Sequence, residues 1–171
     1  MRRPSRSLLA GLALVLGAVP VAAQDGVGSL TEYSAMVEVD HLWVDDGGAT
    51  PEGVTLRLTR YQPNHVIPTF GVGLLGQNLA DMGVAFTGEV GAGYLVGNGR
   101  GGLLLHGGVL GLLAPGSYTF GIGGYVGAGF LYRFTAGLGG RVDVARRYYR
   151  LDGNPAAWSV SFGLGVVPRV R

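Results

Sequence analysis

The groups that could do chemistry in this chain are few: three histidines, 11 carboxylates and 13 arginines, with no lysine and no cysteine. Without cysteine there is no disulfide framework, no thiolate zinc site, no thiol nucleophile and no lipidated N-terminal cysteine. The histidines are His41, His65 and His106. Only His106 falls on the polar side of its segment, where it would neighbour Glu89 on the adjacent one. A His–carboxylate pair beside a serine would make a site that hydrolyses lipid. No serine stands near His106 in the pattern and no His-x-Ser occurs, so His106 reads as a satisfied interior histidine and no catalytic residue is assigned. No two histidines share a strand face at ligand spacing, so no metal site is expected. Gly71-Val72-Gly73-Leu74-Leu75-Gly76 matches the dinucleotide-binding glycine pattern, which requires a helix directly after it. The residues from Gln77 to Gly83 are too few for one and another strand follows, so no cofactor is expected.

The charges offer a different chemistry. Glu38, Asp40, Glu89 and Asp143 fall on the same face as Arg57, Arg133, Arg141 and Arg147, four against four. In a narrow, low-dielectric interior an unpaired charge is costly, so interleaved arginine–carboxylate pairs are expected to form a structural plug. An ion pathway lined by the same charges is the alternative. At the far ends of the segments, Asp45, Asp46, Glu52 and Asp81 read as solvated turn acids; weak collection of divalent cations that bridge lipopolysaccharide is the competing reading.

The elements that must position these groups are strands. Only 14% of the chain is charged while 47% is hydrophobic, which excludes a disordered chain, and the 33 glycines follow no collagen period. Apolar residues alternate with small or polar ones in segment after segment. Trp158, Val160, Phe162, Leu164 and Val166 oppose Ser159, Ser161, Gly163 and Gly165. Tyr33, Ala35, Val37, Val39 and Trp43 oppose Ser34, Glu38 and Asp40. Phe134, Ala136, Leu138, Val142 and Val144 oppose Arg133, Thr135, Gly137, Gly139, Arg141 and Asp143. Similar alternation runs through residues 54–59, 66–74, 84–94 and 118–134, and residues 102–113 form a strand whose pattern Leu103-Leu104-Leu105 blurs. Turn residues such as Asp45-Asp46-Gly47-Gly48, Gly97-Asn98-Gly99 and Asp152-Gly153-Asn154-Pro155 separate the segments, giving a count of eight. A bend at Gly123-Gly124 would change it.

Glycines 71, 73, 91, 93, 121, 123, 127, 129, 137, 139, 163 and 165 share the face of the charges, while all six Phe and both Trp take the other. A glycine face is a poor solvent-facing surface but suits the inside of an eight-stranded barrel, whose interior is just wide enough for side chains. The aromatic face then meets lipid, and closure removes the unsatisfied strand edges that hydrocarbon would not tolerate. The expected fold is all-β: a closed, antiparallel, up-and-down transmembrane barrel of eight strands. With the N-terminus periplasmic, Tyr33, Tyr94 and Tyr132 form an inner aromatic girdle and Trp43, Tyr118, Tyr148 and Trp158 an outer one. From Tyr33 to Trp43, a tilted strand rises about 26 Å, the height of the apolar band of such barrels.

Ahead of the strands lie Arg2, Arg3 and Arg6, the apolar run Leu8–Val19, Pro20 and Val21-Ala22-Ala23. This is the pattern of a signal peptide cleaved after Ala23, giving residues 1–23 as signal peptide and 24–171 as barrel domain. The mature chain then carries 10 arginines against 11 acids, a net charge of −1, so the high pI of 9.2 is no argument for nucleic-acid binding.

The stretch from Gly127 to Tyr149 resembles the penultimate hairpin of the small outer-membrane β-barrels, the group of the outer membrane protein A transmembrane domain. It shows a Gly-x-Gly-x-x-Tyr-Arg strand, a short turn, then alternating arginines and acids ending in Arg-x-Tyr. The resemblance implies the outer membrane of a Gram-negative envelope, with the lipid bilayer, lipopolysaccharide and the barrel-assembly machinery as partners and a structural or surface-interaction role. A barrel enzyme acting on lipid and a narrow channel are the alternatives. The chain departs from the family at its end, Val166-Val167-Pro168-Arg169-Val170-Arg171, where an aromatic residue usually serves the assembly signal. The outer connections, about Asp45–Glu52, Gly76–Met82, Ala114–Ser117 and Arg150–Ala156, are too short for a large binding platform.

Overall fold

A computed structural model describes residues 33–45, 50–61, 65–76, 83–98, 100–115, 119–150 and 156–167. The expected signal peptide, the first residues of the expected barrel domain, Asp46, Asp81 and Tyr118 lie outside them. Eight strands run in chain order: β1 (Tyr33–Val44), β2 (Glu52–Arg60), β3 (Val66–Gly76), β4 (Val84–Asn98), β5 (Gly101–Ala114), β6 (Thr119–Arg133), β7 (Leu138–Arg150) and β8 (Ala156–Val166). Each pairs antiparallel with its neighbour, and β1 pairs with β8 to close the barrel. Closure leaves no sheet edge, so every strand has a backbone partner on both sides.

The outside of this wall is apolar from rim to rim. Phe120, Phe162, Val126 and Val109 expose 64%, 61%, 59% and 56% of their surface, a composition that water would not tolerate over a closed belt and hydrocarbon favours. Tyr33, Tyr94 and Tyr132 stand outward at one end, and Trp43, Tyr148 and Trp158 at the other. These are the two ends of a transmembrane barrel, called here the inner and outer rims. Arg60 lies 5.6 Å from the Tyr33 ring at the inner rim. At the outer rim Arg146 lies 5.5 Å from Tyr148 and 5.3 Å from Trp158.

Strand alternation misplaces one short segment. β6 runs unbroken through Gly123-Gly124 to Arg133, and Phe134, Thr135, Ala136 and Gly137 form the turn to β7 instead of extending a strand. Phe134 N–H donates to the Leu138 carbonyl at 2.9 Å, and the Thr135 hydroxyl accepts from the Leu138 N–H at 3.1 Å. Gly137 therefore leaves the set of inward glycines. At the β2–β3 end His65 takes a left-handed conformation, φ 63°, and its carbonyl accepts from Leu95 N–H at 3.1 Å.

Candidate functional site

The barrel interior is the densest gathering of chemical groups, and it is arranged in three layers. Near the inner rim Met36, Tyr61, Ile67, Leu95, Leu104, Leu131 and Val167 pack as one buried apolar cluster. Near the outer rim Leu42, Leu110, Tyr125, Tyr149 and Ala157 form a second. Between them lie Glu38, Asp40, Arg57, Glu89, Arg141, Asp143 and Arg147, each 5% exposed or less. The sequence reading assigned polar residues and glycine to the lumen and did not anticipate these apolar plugs. In hydropathy alone, an inward leucine looks the same as one facing lipid.

Glu89 is the hub. Its Oε2 accepts from Arg57 Nη2 at 2.8 Å and its Oε1 from Arg147 Nη1 at 2.6 Å, so one carboxylate on β4 ties β2 to β7 across the lumen. Arg57 Nε also donates to Glu38 Oε2 at 2.8 Å. Arg147 Nε donates to Ser159 Oγ at 3.0 Å and approaches Asp40 at 3.7 Å. Asp40 further accepts from the hydroxyls of Thr55, at 2.6 Å, and Ser161. Arg141 donates to Asp143 Oδ2 at 2.8 Å and lies 3.7 Å from Glu38. Charge-assisted bonds of this kind are the strong ones, and a multiply bonded carboxylate satisfies the condition for burying charge.

The glycines explain how these groups reach one another. In the pairing register Arg57 lies opposite Gly71 on β3, and Gly71 lies opposite Glu89 on β4. Likewise Gly163 on β8 stands between Glu38 on β1 and Arg141 on β7. In these two places a strand bearing glycine stands between two strands bearing charges, and the long side chains meet above the gap. A β-carbon on Gly163 would come within 2.8 Å of the Glu38 side chain, and one on Gly129 would collide with the Asp143 carboxylate.

Two sequence expectations change here. His106 is buried, but its neighbour is not Glu89: it pairs in register with Gly93 and Gly127, while Glu89 stands opposite Leu110. The stagger leaves His106 free to lean across β6, over Gly127, and its Nε2 meets Asp143 Oδ2 at 2.6 Å. An arginine has only donors, so the Arg141 Nη2 contact to the same nitrogen at 3.2 Å is secondary to the bond that Nε2–H donates to Asp143. Arg133 is half-buried two residues beyond Leu131, on the far side of the inner apolar layer from the seven buried charges. Three arginines therefore face four carboxylates in the lumen, and His106 is the fourth basic group.

No nucleophile accompanies the His106–Asp143 pair among its described hydrogen bonds; Ser159 and Ser161 are engaged by Arg147 and Asp40. The described histidines are dispersed: His41 meets Trp43 edge-on with ring centroids 4.4 Å apart, His65 sits in its turn, and no group of three or more metal-ligating side chains forms among the described residues. The two described outer-rim acids, Asp45 and Glu52, are also occupied. Asp45 accepts a two-pronged contact from Arg146, through Nη1 at 2.7 Å and through Nη2, and this guanidinium holds its carboxyl below the usual range. Glu52 is the first residue of β2 rather than a turn acid and lies 3.3 Å from His41 Nδ1.

No protein-family model and no curated sequence matches this chain. Solved structures do. The N-terminal β-barrel domain of Pseudomonas aeruginosa OprF superposes with a TM-score of 0.52 at 16% identity, covering 77% of this chain and 96% of that one. Neisserial surface protein A superposes with a TM-score of 0.56 at 15% identity, covering 78% of this chain and 94% of that one. The chain has the fold of the small eight-stranded outer-membrane β-barrels.

Proposed function

We propose that this chain is a bacterial outer-membrane protein, exported by a signal peptide at residues 1–23, whose barrel serves the envelope as a structural or surface-interaction element. The observation that carries the reading is the layered lumen. A charge network spanning β1, β2, β4, β5 and β7 is capped at both ends by packed leucine, tyrosine and methionine side chains. Water-filled channels need a continuous polar path, and an apolar layer at each end interrupts it. The His106–Asp143 pair acts as part of the plug, joining β5 to β7, and no catalytic role is assigned to it. The lipid bilayer is the immediate partner, with lipopolysaccharide outside it and the barrel-assembly machinery during insertion. The outer connections, residues 45–51, 77–83, 115–118 and 151–155, are short, so any surface interaction uses the rim itself rather than long loops.

Membrane fractionation with a heat-modifiability gel tests the location. The mature protein should require detergent for extraction and migrate differently boiled and unboiled. Solubility without detergent and a single mobility would overturn the reading. Steady conductance by the folded protein in a planar bilayer would replace the plug with a channel.

A further inference from the structure

Six buried side-chain atoms among the described residues make no hydrogen bond to another protein group: Arg57 Nη1, Arg141 Nε, Glu38 Oε1, His106 Nδ1 and the hydroxyls of Tyr125 and Tyr149. A buried polar atom left without a partner costs more than a typical internal hydrogen bond returns, and ordered water is a usual partner for such atoms. All six lie in the lumen, in the charged layer or in the outer apolar layer beside it. Three of them, on Arg57, Tyr125 and Tyr149, gather at one place.

The two tyrosines are diagonal neighbours, since Tyr125 on β6 pairs with Arg147 on β7, two residues before Tyr149. Both rings pack in the outer apolar layer, 6% and 8% exposed. The Tyr125 ring lies across Gly108 on β5, and its hydroxyl reaches Gly91 on β4, where a β-carbon would stand 2.5 Å from it. Glu89 is two residues away on the same face of β4, and its carboxylate acts on both hydroxyls. Arg57 bonds Glu38 through Nε and Glu89 through Nη2; it is a charged neighbour of the Tyr125 hydroxyl and has Nη1 left to donate. Gly71 stands between Arg57 and Glu89 in the register, and with Gly91 and Gly108 it leaves this space a floor of backbone.

The chemistry of these three groups selects the occupant. Arg57 Nη1 only donates, whereas each hydroxyl donates or accepts. A cation would meet the guanidinium. An anion would enter a layer in which four carboxylates already face three arginines and His106. Water donates and accepts, and a buried water is held by two to four polar partners, which these groups supply. We propose that the lumen traps a structural water beside Glu89, accepting from Arg57 Nη1 and bonded to the hydroxyls of Tyr125 and Tyr149. Through it the outer tyrosine layer is tied to the charge network, so the cap is held by more than apolar packing. The inference rests on the closed-lumen reading above.

A high-resolution crystal structure of the folded, heat-modifiable barrel tests it directly. An ordered water is expected within about 3.2 Å of Arg57 Nη1 and of both hydroxyls. Arg57 Nη1 closing directly onto the Tyr125 hydroxyl, or a dry space between these groups, would overturn the proposal and leave the plug standing. A file of waters running through either apolar layer to a rim would overturn the plug itself, and the two failures are thereby told apart. Stability gives a second readout. Tyr125→Phe and Tyr149→Phe should each lower the urea midpoint by about 0.5 M, because each removes a bonded hydroxyl. The two losses should add to less than their sum in the double variant, since both hydroxyls share one water. Tyr132→Phe, on the outward girdle, should leave the midpoint unchanged. Phe variants at 125 and 149 that match or exceed the unaltered protein would mean that the hydroxyls have no partner to lose, and would overturn the proposal.

Discussion

The two faces of one barrel wall are held by opposite kinds of order. On the outside, Phe120, Phe162 and Val126 need only be apolar, because lipid conforms to whatever shape they present. Inside, Arg57, Glu89 and Arg147 must meet at hydrogen-bond distance across strands far apart in sequence, and each is useful only while its partners stay put. The outside is therefore tolerant of shape and intolerant of charge. The inside accepts charge only where it is paired and is intolerant of shape, so substitutions should separate the two faces cleanly.

The largest effect is expected at Arg57, which bonds Glu38 and Glu89 at 2.8 Å each. Arg57→Ala takes one arginine from each of two buried carboxylates, leaving Glu89 with Arg147 and Glu38 with only the 3.7 Å contact to Arg141, and removing one partner from a buried pair costs about 3–5 kcal/mol. The urea midpoint of the folded protein in lipid vesicles should fall accordingly. An unchanged midpoint would mean that the lumen is hydrated and the network screened.

Next comes charge on the other face. Phe162 lies mid-strand, opposite Val39 and Val142, and is 61% exposed on the lipid side. Phe162→Arg should cost about 2–4 kcal/mol if the residue sits at the bilayer midplane, whereas Phe162→Leu should be nearly silent. Equal tolerance of both changes would show that this face does not meet hydrocarbon.

Glycine gives the sharpest within-residue-type contrast. Gly129 faces inward where a β-carbon would strike Asp143, while one on Gly88 would meet nothing within 4 Å. Gly129→Ala should cost about 1–3 kcal/mol through displacement of Asp143 from His106 and Arg141, a case of overpacking. Gly88→Ala should be neutral or slightly stabilising, since glycine weakens a strand interior. If the two variants unfolded together, the glycine-gap account of the network would fail.

What the sequence disclosed follows the same division. The lipid face was legible because one requirement repeats at every second residue, so strands and closure came from pattern alone. The lumen was legible only in part. Glu38, Asp40, Arg57, Glu89, Arg141, Asp143 and Arg147 were placed inside by parity, but parity says nothing about which of them touch. That depends on the stagger between strands, which carries His106 past Glu89 to Asp143. The apolar caps were invisible for a different reason. Leu104 sits inward between Leu103 and Leu105, both outward, and hydropathy gives the three residues one value. Phe134 was misread because an aromatic residue in a turn continues the alternation of the strand before it.

The smallest expected effect lies where the two faces meet, at the outer rim. Arg146 grips Asp45 with both terminal nitrogens and leans on Tyr148 and Trp158, but the pair is solvated, and ion pairs in such positions contribute little. Its signature should be in pH rather than in size. The folded carboxyl of Asp45 titrates below its ordinary value because Arg146 bonds its charged form. A group depressed in this way stabilises the fold above the unfolded carboxylate pKa, about 3.9, and loses that contribution as pH falls through the folded value. Asp45→Asn should therefore lower the urea midpoint slightly at pH 7, and the two proteins should converge as pH falls through the lowered folded pKa of Asp45. Raising the salt at pH 7 should narrow the gap in the same direction, because exposed pairs are screened. Arg57→Ala should show no such convergence with salt, since its partners are sealed between the apolar layers. A salt-insensitive gap at Asp45 would mean that the rim contact is buried by lipid or by neighbouring chain, and that the boundary between the tolerant and intolerant faces lies further out than Trp43 and Trp158.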